Sequence, residues 1–115
     1  MNNLEPAPHW RLICNLDEIA PNTGVCALVD NEQIAVFRVK QHDTEVFAIG
    51  NYDPNAEAAV LSRGLIGSFG ERVVVASPIY KHHFDLRTGV CLEAPQHSVK
   101  AYATRVELGR VWVAI

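Results

Sequence analysis

The side chains with the most chemical potential in this sequence are three cysteines, Cys14, Cys26 and Cys91, and the adjacent pair His82-His83. Thiolates and imidazoles together hold zinc or iron, but only when they converge, and metal motifs show this as C-x-x-C or C-x-H spacing. No cysteine here stands at such a spacing. Adjacent residues of an extended segment face opposite sides, so His82 and His83 read as two partly exposed loop residues, not as a chelating pair. His9, His42 and His97 are isolated in turns or flanks. A reactive thiol needs a helix N-terminus or nearby cations; Cys91 lies in the apolar run Val90-Cys91-Leu92 and is expected in the core. The odd cysteine count at wide spacing reads as buried thiols in a reducing cytosol. Asp17-Glu18 is a solvated turn, and no Ser/His/Asp set, phosphate loop or catalytic carboxylate pair stands out. No self-sufficient active site is expected.

The elements that carry these side chains read as many short strands. Trp10–Cys14 is the first, and Asn15 with Glu18 three positions on resembles a capping box that starts one helical turn. Asp30-Asn31 is a hairpin turn between strands Val25–Val29 and Gln33–Val39, and Gln41–Thr44 leads into Glu45–Ile49. Gly50–Gly70 is irregular, with a short helix expected at Ala56–Leu61. A connection of about 20 residues in a compact domain is usually functional or wrapped around something. Val73–Ala76, unbroken and apolar, reads as a central strand. Phe84–Val90 fits a hairpin on a type I turn with Gly89 in the left-handed position. Lys100–Leu108 alternates, with Tyr102, Thr104, Val106 and Leu108 on one face, and Gly109-Arg110 turns it into Val111–Ile115. Short strands spaced about 8–12 residues apart indicate an all-β sandwich or small barrel.

The 115 residues make a single domain, 1–115, with residues 1–9 as a loose lead-in. With 49% hydrophobic and 20% charged residues, the chain can build a core without disulfides or metal as a staple. A net charge of −3 repels phosphate backbones and argues against a nucleic-acid partner. There is no basic–apolar leader and no run near the ~20 apolar residues of a membrane span, so a cytoplasmic protein with no membrane partner is expected.

The stretch Ser77-Pro78-Ile79-Tyr80-Lys81-His82-His83-Phe84-Asp85-Leu86-Arg87-Thr88-Gly89 resembles the second cluster-binding loop of the Rieske [2Fe–2S] domains, Cys-Pro-x-His-Gly-x-x-Phe-Asp-Leu-x-Thr-Gly. Pro78, Phe84, Asp85, Leu86, Thr88 and Gly89 match, while Ser77 stands at the cysteine and Tyr80 at the histidine. The first loop, expected after Ile49, reads Asn51-Tyr52-Asp53-Pro54, with Asn51 and Asp53 at its two ligand positions. A Rieske centre takes two cysteines on one iron and two histidines on the other. Oxygen and amide donors are poor replacements for thiolates. The resemblance therefore implies a Rieske-like antiparallel β-sandwich or small barrel with two loops in place of the cluster-binding subdomain, and no metal or cofactor bound by this chain. Pro54 and Pro78 stiffen the loops, Asn51 and Asp53 are expected to form Asx turns, and the Tyr80 ring is expected to fill the vacated space.

Thr23–Val29, Phe47–Pro54, Val60–Gly67 and Val75–Pro78 are together similar to the small subunits of the bacterial assimilatory NAD(P)H-dependent nitrite reductases. The Asn-x-Asp-Pro and Leu-Ser-Arg-Gly segments are the distinctive part. This resemblance implies a non-catalytic accessory subunit with one partner, a large subunit that carries FAD, sirohaem and an iron–sulfur cluster and reduces nitrite to ammonium in nitrate assimilation. The chain is expected to dock on that partner and to stabilise or tune it. Leu61, Ser62, Arg63, Tyr80 and His82 are the candidate docking residues. Arg63 either anchors the interface, where arginine is enriched, or braces the long loop from inside. The alternatives are a Rieske-type ferredoxin electron carrier, if a cluster still binds, and a metal enzyme built on His82 and His83.

Overall fold

Burial on both faces turns the two longest strands into continuous apolar runs. In the computed structural model, which describes residues 9–115, β3 (Glu32–Lys40) and β4 (Thr44–Gly50) form the middle of a four-stranded antiparallel sheet. β2 (Thr23–Val29) flanks β3, and β10 (Ala101–Tyr102) flanks β4. Ile34, Val36, Val46 and Ala48 point to one side, where they pack with Ile19, Val111 and Val113. Ala35, Phe37, Val39, Phe47 and Ile49 point to the other, onto Leu61, Val73, Val75, Phe84, Leu86 and Cys91. The period-2 alternation of a strand is thus present, but both faces are apolar because each meets a core.

The first core is closed by a sheet that joins the two ends of the chain: β1 (Trp10–Asn15), β12 (Arg110–Ala114) and β11 (Thr104–Glu107), in that order. The second is closed by β7 (Leu65–Phe69), β8 (Arg72–Ala76) and β9 (His83–Asp85), with β8 central as its sequence suggests. A miniature hairpin, β5 (Tyr52–Asp53) with β6 (Ala58–Ala59), stands beside this second sheet's loops. The fold is all-β: among the described residues the only helical pieces are three 3-10 turns, Leu16–Glu18, Leu61–Arg63 and Pro95–His97. Glu18 accepts the Asn15 amide at 2.8 Å, as the capping-box pattern requires. Asp30 and Asn31, at φ 49° and 69°, make the left-handed turn that matches strand twist between β2 and β3.

Four local expectations are corrected. Ala56–Leu61 is not a helix: the Asp53 carboxylate captures the Asn55 and Ala56 amides, the chain doubles back as β6, and only Leu61–Arg63 coils, as a 3-10 turn. The same irregular stretch contains β7, an edge strand whose mostly exposed side chains and central Gly67 give no alternation signal. Lys100–Leu108 is not one strand. It breaks at Ala103 as the chain changes sheets, Tyr102 pairing with Ala48 and Thr104 with Val113. Leu108, 99% exposed, is itself half of the next turn, with φ values of 53° at Leu108 and 73° at Gly109. Finally, of the three cysteines only Cys91 is fully buried; Cys14 is half-buried and Cys26 is exposed on the edge strand β2. Burial and the Glu18 charge push the Cys14 thiol up, away from the reactive thiolate. Except for His9, the lead-in at residues 1–9 lies outside the described residues.

Gly89 adopts φ 81°, and a Cβ there would fall 2.1 Å from the carbonyl oxygen of Val99. Gly70 has φ 67° but open space around it. Gly70→Ala is expected to cost about 1–2 kcal/mol from the left-handed backbone alone. Gly89→Ala adds a backbone clash and should cost about 3–4 kcal/mol, read as the shift of the urea unfolding midpoint.

Candidate functional site

The first loop leaves β4 at Gly50, whose amide donates to the Lys100 carbonyl. Asn51, fully enclosed, is used at every polar atom. Its backbone amide donates to Gln33 O at 3.1 Å and its carbonyl accepts the Leu61 amide at 3.1 Å. Its side-chain oxygen accepts the Ser62 amide at 2.7 Å, and its side-chain nitrogen donates to Gln33 Oε1 at 3.1 Å and Cys26 Sγ at 3.5 Å. Asn51 therefore bridges three segments; it does not form the Asx turn expected of it. Asp53 does, through the Asn55 amide at 2.9 Å.

The second loop leaves β8 at Ser77 and returns at His82. The Ser77 amide donates to the His82 carbonyl at 2.9 Å, and the Lys81 amide to the Ser77 carbonyl at 3.0 Å. Lys81 adopts φ 62° to close this turn. Inside it the Ser77 hydroxyl donates to the buried Asp53 carboxylate, a short hydrogen bond that joins the two loops directly. The Tyr80 ring does not fill the gap between them. It is 62% exposed, because Ser77 and Asp53 are small enough to meet without a filler.

A third segment, after β9, locks both loops from behind. Asn55 accepts a hydrogen bond at 2.6 Å from His97 Nδ1 and donates to Cys91 Sγ at 3.7 Å, while the Cys91 amide donates to Ser98 Oγ at 2.9 Å. Glu93 holds His83 twice, by its backbone amide at 2.7 Å and its Nδ1 at 2.5 Å. Burial pushes the Glu93 carboxyl up, but the His83 side-chain and backbone hydrogen bonds bring it below its ordinary value. Asn55, Gln33 and His97 were not candidates from the sequence, since contacts over 18 to 42 residues leave no local signal.

The predicted docking residues do not all share a surface. Leu61 is 0% exposed and belongs to the core, so it is removed from that set. Ser62 and His82 are half-buried; Arg63 and Tyr80 are exposed. Among the described residues the Arg63 side chain makes no hydrogen bond or ion pair, and it braces nothing from inside. His82 and His83 differ in partner: His83 takes Glu93, and His82 Nδ1 has no hydrogen bond among the described residues. A separate cleft of about 430 Å³ beside Asn51 and Tyr52 carries Glu32, Lys100 and Tyr102, but these already satisfy one another. Lys100 sits 4.9 Å from the Tyr102 ring centre and the Tyr102 hydroxyl meets Glu32 at 3.4 Å.

The four positions that would hold an iron–sulfur cluster do not fit one. Soft thiolates are absent from them, Ser77 and Asp53 are spent on each other, both ends of the Asn51 amide are occupied, and Tyr80 turns outward. Among the described residues no three His, Cys, Asp or Glu side chains converge as a metal site.

Three sheets around two cores, with paired loops at β4–β5 and β8–β9, define a Rieske-like domain, and the Rieske-like [2Fe-2S] domain family matches residues 9–114. Over 102 residues the chain is 51% identical to the nitrite reductase (NADH) small subunit of Escherichia coli (strain K12), covering 89% of this chain and 94% of that one. The structure superposes with a TM-score of 0.88 and 43% identity on a Mycobacterium tuberculosis protein assigned as an NADH-dependent nitrite reductase small subunit, covering 96% and 97% of the two chains. A nitrite reductase [NAD(P)H] large subunit from Klebsiella oxytoca is 41% identical over 108 residues, which are 94% of this chain and 11% of that one. The chain belongs to the family of nitrite reductase small subunits.

Two predictions follow from the loop chemistry. Ser77→Ala leaves a buried carboxylate short of one donor and should cost about 1.5–3 kcal/mol, the range for hydrogen bonds to charged groups. In a double-mutant cycle with Asp53→Asn the two losses should be far from additive, measured by chemical denaturation. Asp85 supplies the pH test. Burial alone would push its carboxyl up, but hydrogen bonds from the Arg87 amide, the Arg72 guanidinium and the Thr88 amide hold it below its ordinary value. The folded state then binds fewer protons than the unfolded one, so this contribution is complete above about pH 5 and is lost as pH falls through the folded value. Asp85→Asn should be less stable at pH 7 and should lose less stability than the wild type between about pH 5 and pH 2.

Proposed function

We propose that this chain is the accessory small subunit of a cytoplasmic NAD(P)H-dependent nitrite reductase, which converts nitrite to ammonium in nitrate assimilation. It docks through its loop end on the large subunit and stabilises or tunes that partner. It performs no redox step and binds no cofactor; FAD, sirohaem and an iron–sulfur cluster belong to the large subunit. The observation that carries this reading is similarity to small subunits along nearly the full length of both chains. Two others support it. The homologous stretch in the Klebsiella oxytoca protein lies within a chain that is itself a large subunit, so the two modules there are covalent neighbours. The donor set at the loop end suits rigid packing, whereas an electron carrier of the Rieske type would need thiolates and imidazoles at Asn51, Asp53, Ser77 and Tyr80.

The test uses the purified large subunit, alone and with this chain. The chain alone is expected to be colourless, iron-free and inactive with NAD(P)H and nitrite. Added at about 100 times its Kd, it should stabilise the large subunit by about 2.7 kcal/mol, seen as slower thermal inactivation and retained flavin. Stoichiometric iron with a Rieske-type electron paramagnetic signal would sink the reading, as would failure of the two proteins to associate.

A further inference from the structure

Between the Leu61–Arg63 turn and the second loop lies a hollow of about 130 Å³. Arg63, Gly64 and Leu65 form one wall, and Ser77, Pro78 and Lys81 the other. The two walls are close by construction: a Cβ at Gly64 would lie 2.3 Å from the Ala76 carbonyl oxygen. Among the described residues no acidic side chain lines the hollow. Arg11, Arg72, Arg87 and Arg105 each hold a carboxylate of this chain; among the described residues Arg63 and Lys81, like Arg38, Lys40, Lys100 and Arg110, do not, and these two share one hollow. In a chain with 13 acidic and 10 basic residues, two unneutralised cations on one small hollow form a local reversal of the overall charge.

Both cations are held on fixed backbone. Arg63 sits in a 3-10 turn whose Ser62 amide is gripped by buried Asn51 and whose own amide donates to the Val60 carbonyl at 2.9 Å. Lys81 keeps a left-handed φ of 62°, a conformation that persists in a lysine only where the surroundings impose it. Exposed apolar side chains adjoin it: Leu65 on one wall is 79% exposed, and Ile79 and Tyr80, which lie in the chain between Pro78 and Lys81 of the other, are 46% and 62% exposed. Exposed apolar side chains beside a charged hollow, with tyrosine and arginine present, suit a protein interface. The volume equals roughly four waters at about 30 Å³ each, room for a carboxylate and a methylene or two.

We infer that this hollow is a carboxylate socket for the large subunit: an aspartate or glutamate of the partner enters between Arg63 and Lys81, and Leu65, Ile79 and Tyr80 pack around it. This rests on the accessory-subunit reading and assigns it a surface. Arginine holds a carboxylate through two parallel N–H donors and lysine adds a point charge, so the pair fixes orientation as well as attraction. The adjoining apolar side chains exclude water from the pair and strengthen it.

Affinity between this chain and the purified large subunit tests the inference. Arg63→Glu and Lys81→Glu should each weaken binding at least tenfold, and Arg63→Lys less than Arg63→Glu. Lys40→Glu, the same charge change at the far end of the β3–β4 hairpin, should stay within twofold. Raising salt from about 50 to 300 mM should weaken the wild type more than Arg63→Glu, because the variant has already lost the screened pair. Wild-type binding matched by both glutamate variants would overturn the socket and leave the accessory role standing. No wild-type binding at all would overturn both. Shifts of the Arg63 and Lys81 amide resonances on adding nitrite alone, absent with chloride at equal ionic strength, would make the hollow a small-anion site and overturn the docking assignment.

Discussion

A hydrogen bond from the Ser77 hydroxyl to the Asp53 carboxylate is the constraint around which the loop end is arranged. Asp53 is 0% exposed, and an isolated buried carboxylate costs several kcal/mol unless donors surround it. It has three, the Ser77 hydroxyl and the Asn55 and Ala56 amides, two from its own loop and one from the other. Neither loop can move away without stranding that charge. Asn51 imposes the same condition a few ångströms of chain earlier, since its enclosed amide satisfies the Ser62 amide and is satisfied by Gln33. Of the four positions where metal ligands would stand, Asp53 and Ser77 thus join the two loops to each other, and Asn51 ties the first loop to Gln33 and Ser62.

The strand pattern was largely legible because it rests on local signals. Asp30-Asn31 predicts a hairpin from backbone preference, Val73–Ala76 a central strand from apolar continuity, and Gly89 a left-handed turn from the lack of a Cβ; all three are observed. What failed to show in the sequence depends on distant partners. Ala56–Leu61 has helix-forming residues, yet Asp53 draws the Asn55 and Ala56 amides into a turn and Asn51 takes the Leu61 amide. Lys100–Leu108 alternates cleanly, yet its two halves belong to different sheets, which no alternation can reveal. β7 is hidden because an exposed edge strand has no apolar face to advertise. At the loop end the substituted ligand positions were evident, but their use was not. Tyr80, expected inside, lies outside because the gap closes on a serine and an aspartate; Leu61, expected at the surface, is core.

The loop residues retained from the Rieske pattern and those lost from it differ in what they touch, and this explains how the pattern outlasts its cluster. Phe84 and Leu86 are buried in the second core beside Cys91. Asp85 takes the Arg87 and Thr88 amides and the Arg72 guanidinium, which makes it the organiser of its turn. Gly89 passes so close to the Val99 carbonyl that no side chain fits. None of these depends on iron. Substituting any of them would cost core packing, a capped turn or a backbone clash, whatever the loops above contain.

The ligand positions answer to the opposite requirement, because each needs only a polar partner or solvent: Asp53 and Ser77 meet across the loops, Asn51 is met by Gln33 and Ser62, and Tyr80 turns outward. A metal meets that need with four bonds; here a hydroxyl, a carboxylate and an amide meet it with hydrogen bonds. The consequence reaches the surface through one short path. Asn51 holds the Ser62 amide, Ser62 precedes Arg63, and Ser77 begins the turn that ends at Lys81. The residues that replaced the ligands are therefore the ones that set where the two exposed cations stand. A loop pair closed by these side chains, with no metal between them, can present a charged and apolar face of fixed shape, which is what recognition of a partner requires.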